Sequence, residues 1–120
     1  MSNTFMRLEA AGSAAGMQPS DMTDPSAFTT DDKTELNDTY FATADESILT
    51  GVWECAPCRE EIDSYPVHEM MTVISGAVKL TDAEGRSDTF RAGDTFFIPK
   101  GTRCVWEITE TLRKFYMIAN

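Results

Sequence analysis

The sequence predicts an all-β fold, a small sandwich or barrel entered by an irregular N-terminal arm, on three observations. From about Thr39 onward, short runs of strand-forming residues are separated at close spacing by Gly, Pro and Asp turn signals. After residue 36 no stretch repeats with a helical period of useful length. Residues 1–27 are rich in Ala, Gly, Ser, Met and Gln, carry Pro19 and Pro25, and hold too few bulky apolar side chains to offset the entropy lost on ordering. The expected division is a flexible tail and arm over residues 1–38 and a barrel domain over residues 39–120.

Each element follows from local pattern. Residues 5–11 suit a short helical turn. Residues 40–43 read as a short strand, and residues 48–56 as a longer one stopped by Pro57. Residues 59–63 are extended. Residues 67–75 form the strongest strand, with Gly76 turning it into residues 77–81. Asp82-Ala83-Glu84-Gly85 is a hairpin loop with glycine placed for positive φ. Residues 87–91 form a strand, Ala92-Gly93-Asp94 a turn, and residues 95–98, 104–108 and 113–118 complete the set. Alternation puts Glu69, Met71 and Val73 on one face, Phe96 and Ile98 on one face, and Cys104, Trp106 and Ile108 on one face. In the last strand Lys114, Tyr116 and Ile118 oppose Phe115 and Met117. Both sets are substantially apolar, so parity leaves the core face of that strand open.

Composition narrows the function classes. The 120 residues fit one domain, and the formal charge is −10, with twenty acids against ten bases. Nucleic acid and anionic membrane surfaces are poor partners for such a chain, because phosphate contacts need clustered Lys and Arg. The charge is spread: residues 1–38 hold seven of the acids and two of the bases. No apolar run is long enough to cross a membrane as a helix, and no signal peptide is visible. Three cysteines do not suit a disulfide framework, so a reducing, cytoplasmic location is expected.

Two motifs carry the remaining information. The first is Asp63-x-Tyr65-x-x-x-Glu69-x6-Gly76; the second is Gly93-x5-Pro99-x-Gly101-x-x-Cys104. They resemble the paired motifs of the cupin superfamily, barrels of the RmlC type. The similarity extends to small cupins grouped with ureidoglycine aminohydrolase and ethanolamine-utilisation barrels. It rests on Thr50-Gly51-Val52-Trp53-Glu54-Cys55, Tyr65-Pro66 ahead of Glu69, Leu80-Thr81-Asp82-x-x-Gly85, and Trp106-Glu107 followed by Arg113-Lys114-Phe115-Tyr116. The match covers roughly residues 39–119. The resemblance implies a double-stranded β-helix, two antiparallel sheets closed as a jelly-roll barrel with the site inside. It also implies a metal held by three histidines and one carboxylate, and a small nitrogenous or carboxylate substrate as in ureidoglycine hydrolysis.

The departures from the pattern bear on the chemistry. Asp63, Tyr65 and Cys104 occupy the three histidine positions, and Pro57 stands where a leading Gly belongs. The chain has one histidine, His68, so a three-histidine centre cannot be built within it. Asp63, Tyr65, Glu69 and Cys104 mix hard oxygen donors with a soft thiolate, a poor set for any one metal. The expectation is a site without metal or cofactor. Ureidoglycine aminohydrolase also resembles a tandem of two barrels with metal ligands, so its activity does not carry over.

Each remaining candidate has a chemical and a structural reading. Glu69, inward on an apolar strand, either orients a ligand and moves protons or is a structural carboxylate paired with an inward Lys, Arg or Tyr. Its expected partner by parity is Lys114, which would also neutralise an anion, and Arg113 adds a second cation nearby. Cys104 is a thiolate nucleophile or a small buried hydrophobe. Trp53, Trp106 and Tyr116 line a cavity or fill the core, and Tyr65 and Tyr116 supply hydrogen bonds. His68 neighbours Glu69 and so faces the other way, as a switch or an exposed imidazole. Cys55-Ala-Pro-Cys58 has redox or zinc spacing but no second pair, and a turn with incidental thiols explains it.

The sequence therefore supports a small-molecule-binding barrel with Glu69 and Lys114 as reacting groups and Trp53, Tyr65, Cys104, Trp106 and Tyr116 around the ligand. An enzyme acting on a small nitrogenous or carboxylate metabolite fits this arrangement. The alternative is a non-catalytic module acting through a dimer surface or a protein partner. A homodimer is expected, with edge strands near residues 40–43 and 48–56 pairing with a second copy. An open polar cavity at Glu69 favours the first reading, and a barrel plugged by Met71, Phe96 and Trp106 the second.

Overall fold

Alternating side chains build eight strands in the computed structural model, which describes residues 4–120. The first three residues of the expected tail lie outside the described residues. The strands are β1 (Gln18–Pro19), β2 (Glu35–Ala42), β3 (Ile48–Cys55), β4 (Cys58–Ile62), β5 (His68–Asp82), β6 (Ser87–Arg91), β7 (Thr95–Ile98) and β8 (Cys104–Ala119). One 3-10 turn, Pro25–Ala27, is capped by the Asp24 side chain. No α-helix occurs among the described residues, and none is long and apolar enough to cross a membrane.

The fold is a jelly-roll barrel organised around one long antiparallel ribbon. β5 and β8 pair from His68↔Ala119 to Asp82↔Cys104. The first half of β5 is flanked by β7, and the second half by β6. β8 is flanked by β4 along its first half and by β3 along its second. One set of strands thus runs β7-β5-β8-β3-β2-β1 and the other β6-β5-β8-β4, with the ribbon common to both.

Several expectations need correction. Gly76 does not end a strand. The chain runs through it at φ +83°, with the β5–β8 register slipping between Val73 and Val78. A bulge bends a strand without ending it, so the two expected strands are one, as are residues 104–108 and 113–118. A Cβ at Gly76 would lie 2.0 Å from the Thr111 carbonyl oxygen, so this crossing admits no side chain. β2 begins at Glu35, not residue 40, so the boundary drawn at residue 39 falls inside a strand. The polar residues that hid this strand have internal partners, described below. No helical turn forms over residues 5–11, where one turn closes from Gly12 N–H to the Glu9 carbonyl. Backbone groups of this arm bond side chains of the barrel instead. The Glu9 N–H donates to the Tyr40 hydroxyl at 3.0 Å, the Ser13 N–H to the Asp38 carboxylate, and Arg113 donates to the Ala10 carbonyl at 2.6 Å. Finally, β3 lies between β2 and β8, so it has no free edge for a second copy.

The interior follows the alternation. Met71, Val73, Val78, Ile98, Trp106, Ile108 and Leu112 form one buried cluster. The face of the last strand is settled by its polar residue: Leu112, Lys114 and Tyr116 point inward, and Met117 outward. A lysine can face inward because a carboxylate waits for it there.

Candidate functional site

The barrel encloses an open cavity of about 610 Å³, within the range of small-molecule sites. Its polar pole is built on β5 and β8. Glu69 and Lys114 are 5% and 4% exposed, and Lys114 Nζ donates to Glu69 Oε2 at 2.8 Å. The Tyr65 hydroxyl donates to Glu69 Oε1 at 2.7 Å. Tyr65 arrives from the β4–β5 loop, which Gly101 and Thr102 hold by backbone bonds to it. Burial, then the adjacent Glu69 charge, pushes the Tyr65 phenol well above its ordinary range, so it remains a donor. Lys114 Nζ also lies 4.7 Å from the Trp53 ring centroid and 5.0 Å from that of Trp106. The two indoles meet edge to face at 6.4 Å.

A second polar layer supports the first. Trp53 Nε1 donates to Glu35 Oε2 at 3.0 Å. Glu35 also accepts from the Ser20 hydroxyl at 2.8 Å and from the backbone N–H groups of Met22 at 3.1 Å and Thr23 at 2.8 Å. Burial alone would raise the Glu35 carboxyl, but bonds from Thr23, Ser20 and Trp53 together hold it below the usual carboxylate range. The Tyr116 hydroxyl donates to Asn37 Oδ1 at 2.8 Å. Gly51 makes room for this bond, since a Cβ there would stand 2.8 Å from the Tyr116 hydroxyl oxygen.

Six of the seven sequence-derived site residues line this cavity: Trp53, Tyr65, Glu69, Trp106, Lys114 and Tyr116. The pairing of Lys114 with Glu69 expected from parity is present. Cys104 is not on the cavity wall. It packs in the core cluster, and burial raises its thiol. Arg113 faces away, donating to Glu54 Oε1 at 3.0 Å. Asp63 is exposed. His68 is exposed, accepts from the Lys100 N–H at 3.0 Å and stacks on Phe97. Cys55 and Cys58 are buried off the cavity wall, and their mutual influence raises the Cys55 thiol and lowers that of Cys58.

Sequence reasoning missed Asn37, Thr39, Glu60, Met22 and Thr23, which also line the cavity. The alternation Glu35-x-Asn37-x-Thr39 was the available signal, but polar residues on both parities read as an arm. A strand can bury Glu35 because four donors converge on it.

The four positions that would carry a metal do not make a centre. Glu69 already has a positive partner in Lys114, Tyr65 is a protonated phenol, Cys104 lies in the core and Asp63 at the surface. A cation added at Glu69 would meet the buried ammonium, and no donor set remains to hold it.

Comparison with known proteins places this architecture. Residues 42–116 match the family model for the EutQ-like cupin domain. A protein of unknown function of the DUF861 family from Pseudomonas syringae pv. tomato is 30% identical with a TM-score of 0.80 over 93% of this chain. This chain spans only 46% of that protein's length. The EutQ protein of Clostridium difficile is 22% identical with a TM-score of 0.63, over 84% of this chain and 75% of its own. A putative ethanolamine utilization protein Q from Salmonella typhimurium is 21% identical with a TM-score of 0.62, over 87% and 97%. At that identity the two EutQ structures bear on the fold alone. No protein of curated function matches the chain.

Proposed function

Since the chain belongs to the EutQ-like cupin family, we propose that it binds a small nitrogenous or carboxylate metabolite inside the barrel, without the three-histidine metal centre. The observation that supports this reading is the open cavity with a buried ion pair on its wall. A plugged barrel would have no room for an occupant. In this reading the Trp53 and Trp106 rings hold the ligand's apolar body. Glu69 has lone pairs left after Tyr65 and Lys114 and accepts from a ligand N–H or O–H. Tyr65 and Lys114 fix the carboxylate's orientation toward the ligand. The three free thiols suit a cytoplasmic setting.

The test is a screen of small acids, amides and amines read by Trp emission and thermal midpoint together, since both tryptophans line the cavity. A true occupant moves both. At a hundredfold excess over Kd it adds about 2.7 kcal/mol of stability. Tyr65→Phe, which frees Glu69 without leaving a charge unpaired, weakens the ligand severalfold. Hits whose effects are the same in Tyr65→Phe and in Glu69→Gln would remove this pole from the binding site.

A second reading has its own observation. Met70, Phe97 and Met117 are 43%, 54% and 42% exposed and adjacent across β7, β5 and β8 on the outer face. We propose that a second copy covers this patch, in place of pairing through β3, which is interior to the sheet.

A further inference from the structure

The charges lining the cavity do not cancel. Lys114 and Glu69 satisfy one another. Glu60 on β4 also lines the cavity, and its carboxylate has no hydrogen bond and no ion pair among the described residues. No fully buried polar side-chain atom is left unpaired, so this carboxylate opens onto the cavity space rather than into packed core. Its neighbours add to the imbalance. Glu35 on β2 and Asp24 at the 3-10 turn are both acidic, and Cys58 and Tyr65 supply no positive charge. Burial first, and then Glu35 and Asp24, push the Glu60 carboxyl up. The residue facing Glu60 across the β4–β8 register is Trp106, whose ring is a surface for a cation as well as for an apolar chain.

We propose that Glu60 is the head-group site of this cavity and that the ligand it selects is a small protonated amine or guanidinium. The apolar body of that ligand lies along Trp106 and Trp53, and its far end reaches the Glu69 pole. The proposal rests on the reading of the cavity as a ligand site and narrows it. A carboxylate ligand would place a third anion beside Glu60 and Glu35 while the one inward lysine is already engaged.

The experiment uses three four-carbon probes of matched shape on the whole chain: n-butylammonium, butyramide and butyrate, with Trp emission and calorimetry as readouts. The ammonium is expected to bind at least tenfold more tightly than the amide, with butyrate weakest. Glu60→Gln should remove that tenfold advantage, bringing ammonium and amide affinities together. The pH dependence supplies an arm that needs no variant. As pH falls through the raised Glu60 titration toward the ordinary carboxylate value of 4.5, ammonium affinity drops. Over the same interval Glu60 itself contributes stability to the unliganded fold, because its folded form takes up the proton more readily than the unfolded chain. Equal binding of butyrate and butylammonium, or ammonium affinity unmoved both by Glu60→Gln and by pH, overturns the proposal while leaving the cavity reading in place. Silence of all three probes in both readouts takes down both.

Discussion

Glu69 is the side chain whose surroundings say most about this protein. A buried carboxylate with one ammonium and one phenol on its two oxygens is costly to break and cheap to replace. Glu69→Gln leaves the Lys114 charge uncompensated at 4% exposure and should cost about 3–5 kcal/mol in denaturant unfolding. The pair Glu69→Leu with Lys114→Met removes both charges and should leave stability within about 1 kcal/mol of the parent, or above it. Retention of so expensive a pair beside an open cavity is what a ligand-orienting role would require. If the double variant is as unstable as the single one, the pair is a packing element. Motif position put Tyr65 on the cavity, aromatic character put Trp53, Trp106 and Tyr116 there, and alternation along two strands paired Glu69 with Lys114 on paper. It failed for Cys104, because inward parity places a side chain inside the barrel but not on the wall of its empty part.

The long ribbon of β5 and β8 is the element on which the site depends, since it carries Glu69, Trp106, Lys114 and Tyr116. Its continuity through the bend rests on Gly76, where positive φ and the nearby Thr111 carbonyl both exclude a side chain. Gly76→Ala should cost ~3 kcal/mol and broaden the unfolding transition. Gly85→Ala, also at positive φ but with open space around it, should cost only about 1 kcal/mol in the same measurement. Equal costs would mean that φ alone, not the crossing with β8, sets the requirement. In the sequence a bulge glycine and a turn glycine look alike. The difference lies in whether the hydrogen bonds of the ladder resume beyond it, which only the partner strand decides. β2 was missed for a related reason: Glu35, Asn37 and Asp38 carry polar side chains whose partners come from residues 13–23 and from Trp53 and Tyr116.

The assembled chain presents two surfaces with different consequences. Inside, the cavity is lined by indoles and convergent polar groups. Outside, Met70, Phe97 and Met117 form an apolar row on the sheet carrying Glu69. Light scattering on the eluting protein should give twice the 13.3 kDa chain mass, and Met70→Lys with Phe97→Glu should return it to one chain. A monomer for the parent, or a dimer that survives both charges, removes the second copy from this face. Because the patch backs onto β5 and β8, dissociation should also lower the thermal midpoint as protein concentration falls.

Resemblance to the cupin motifs supplied the jelly-roll family, while the order of turn signals and period-two runs was sufficient for the all-β class and most strand positions. These are local properties, set by φ/ψ preferences and by which face of a strand a side chain leaves. Tertiary structure decided the rest: that Lys114 faces inward, that residues 20–39 complete the cavity wall, that Cys104 is withdrawn from it, and that Glu60 has no partner among the described residues. Those depend on which groups meet across strands far apart in sequence, and a buried polar residue is legible only once its partner is in place.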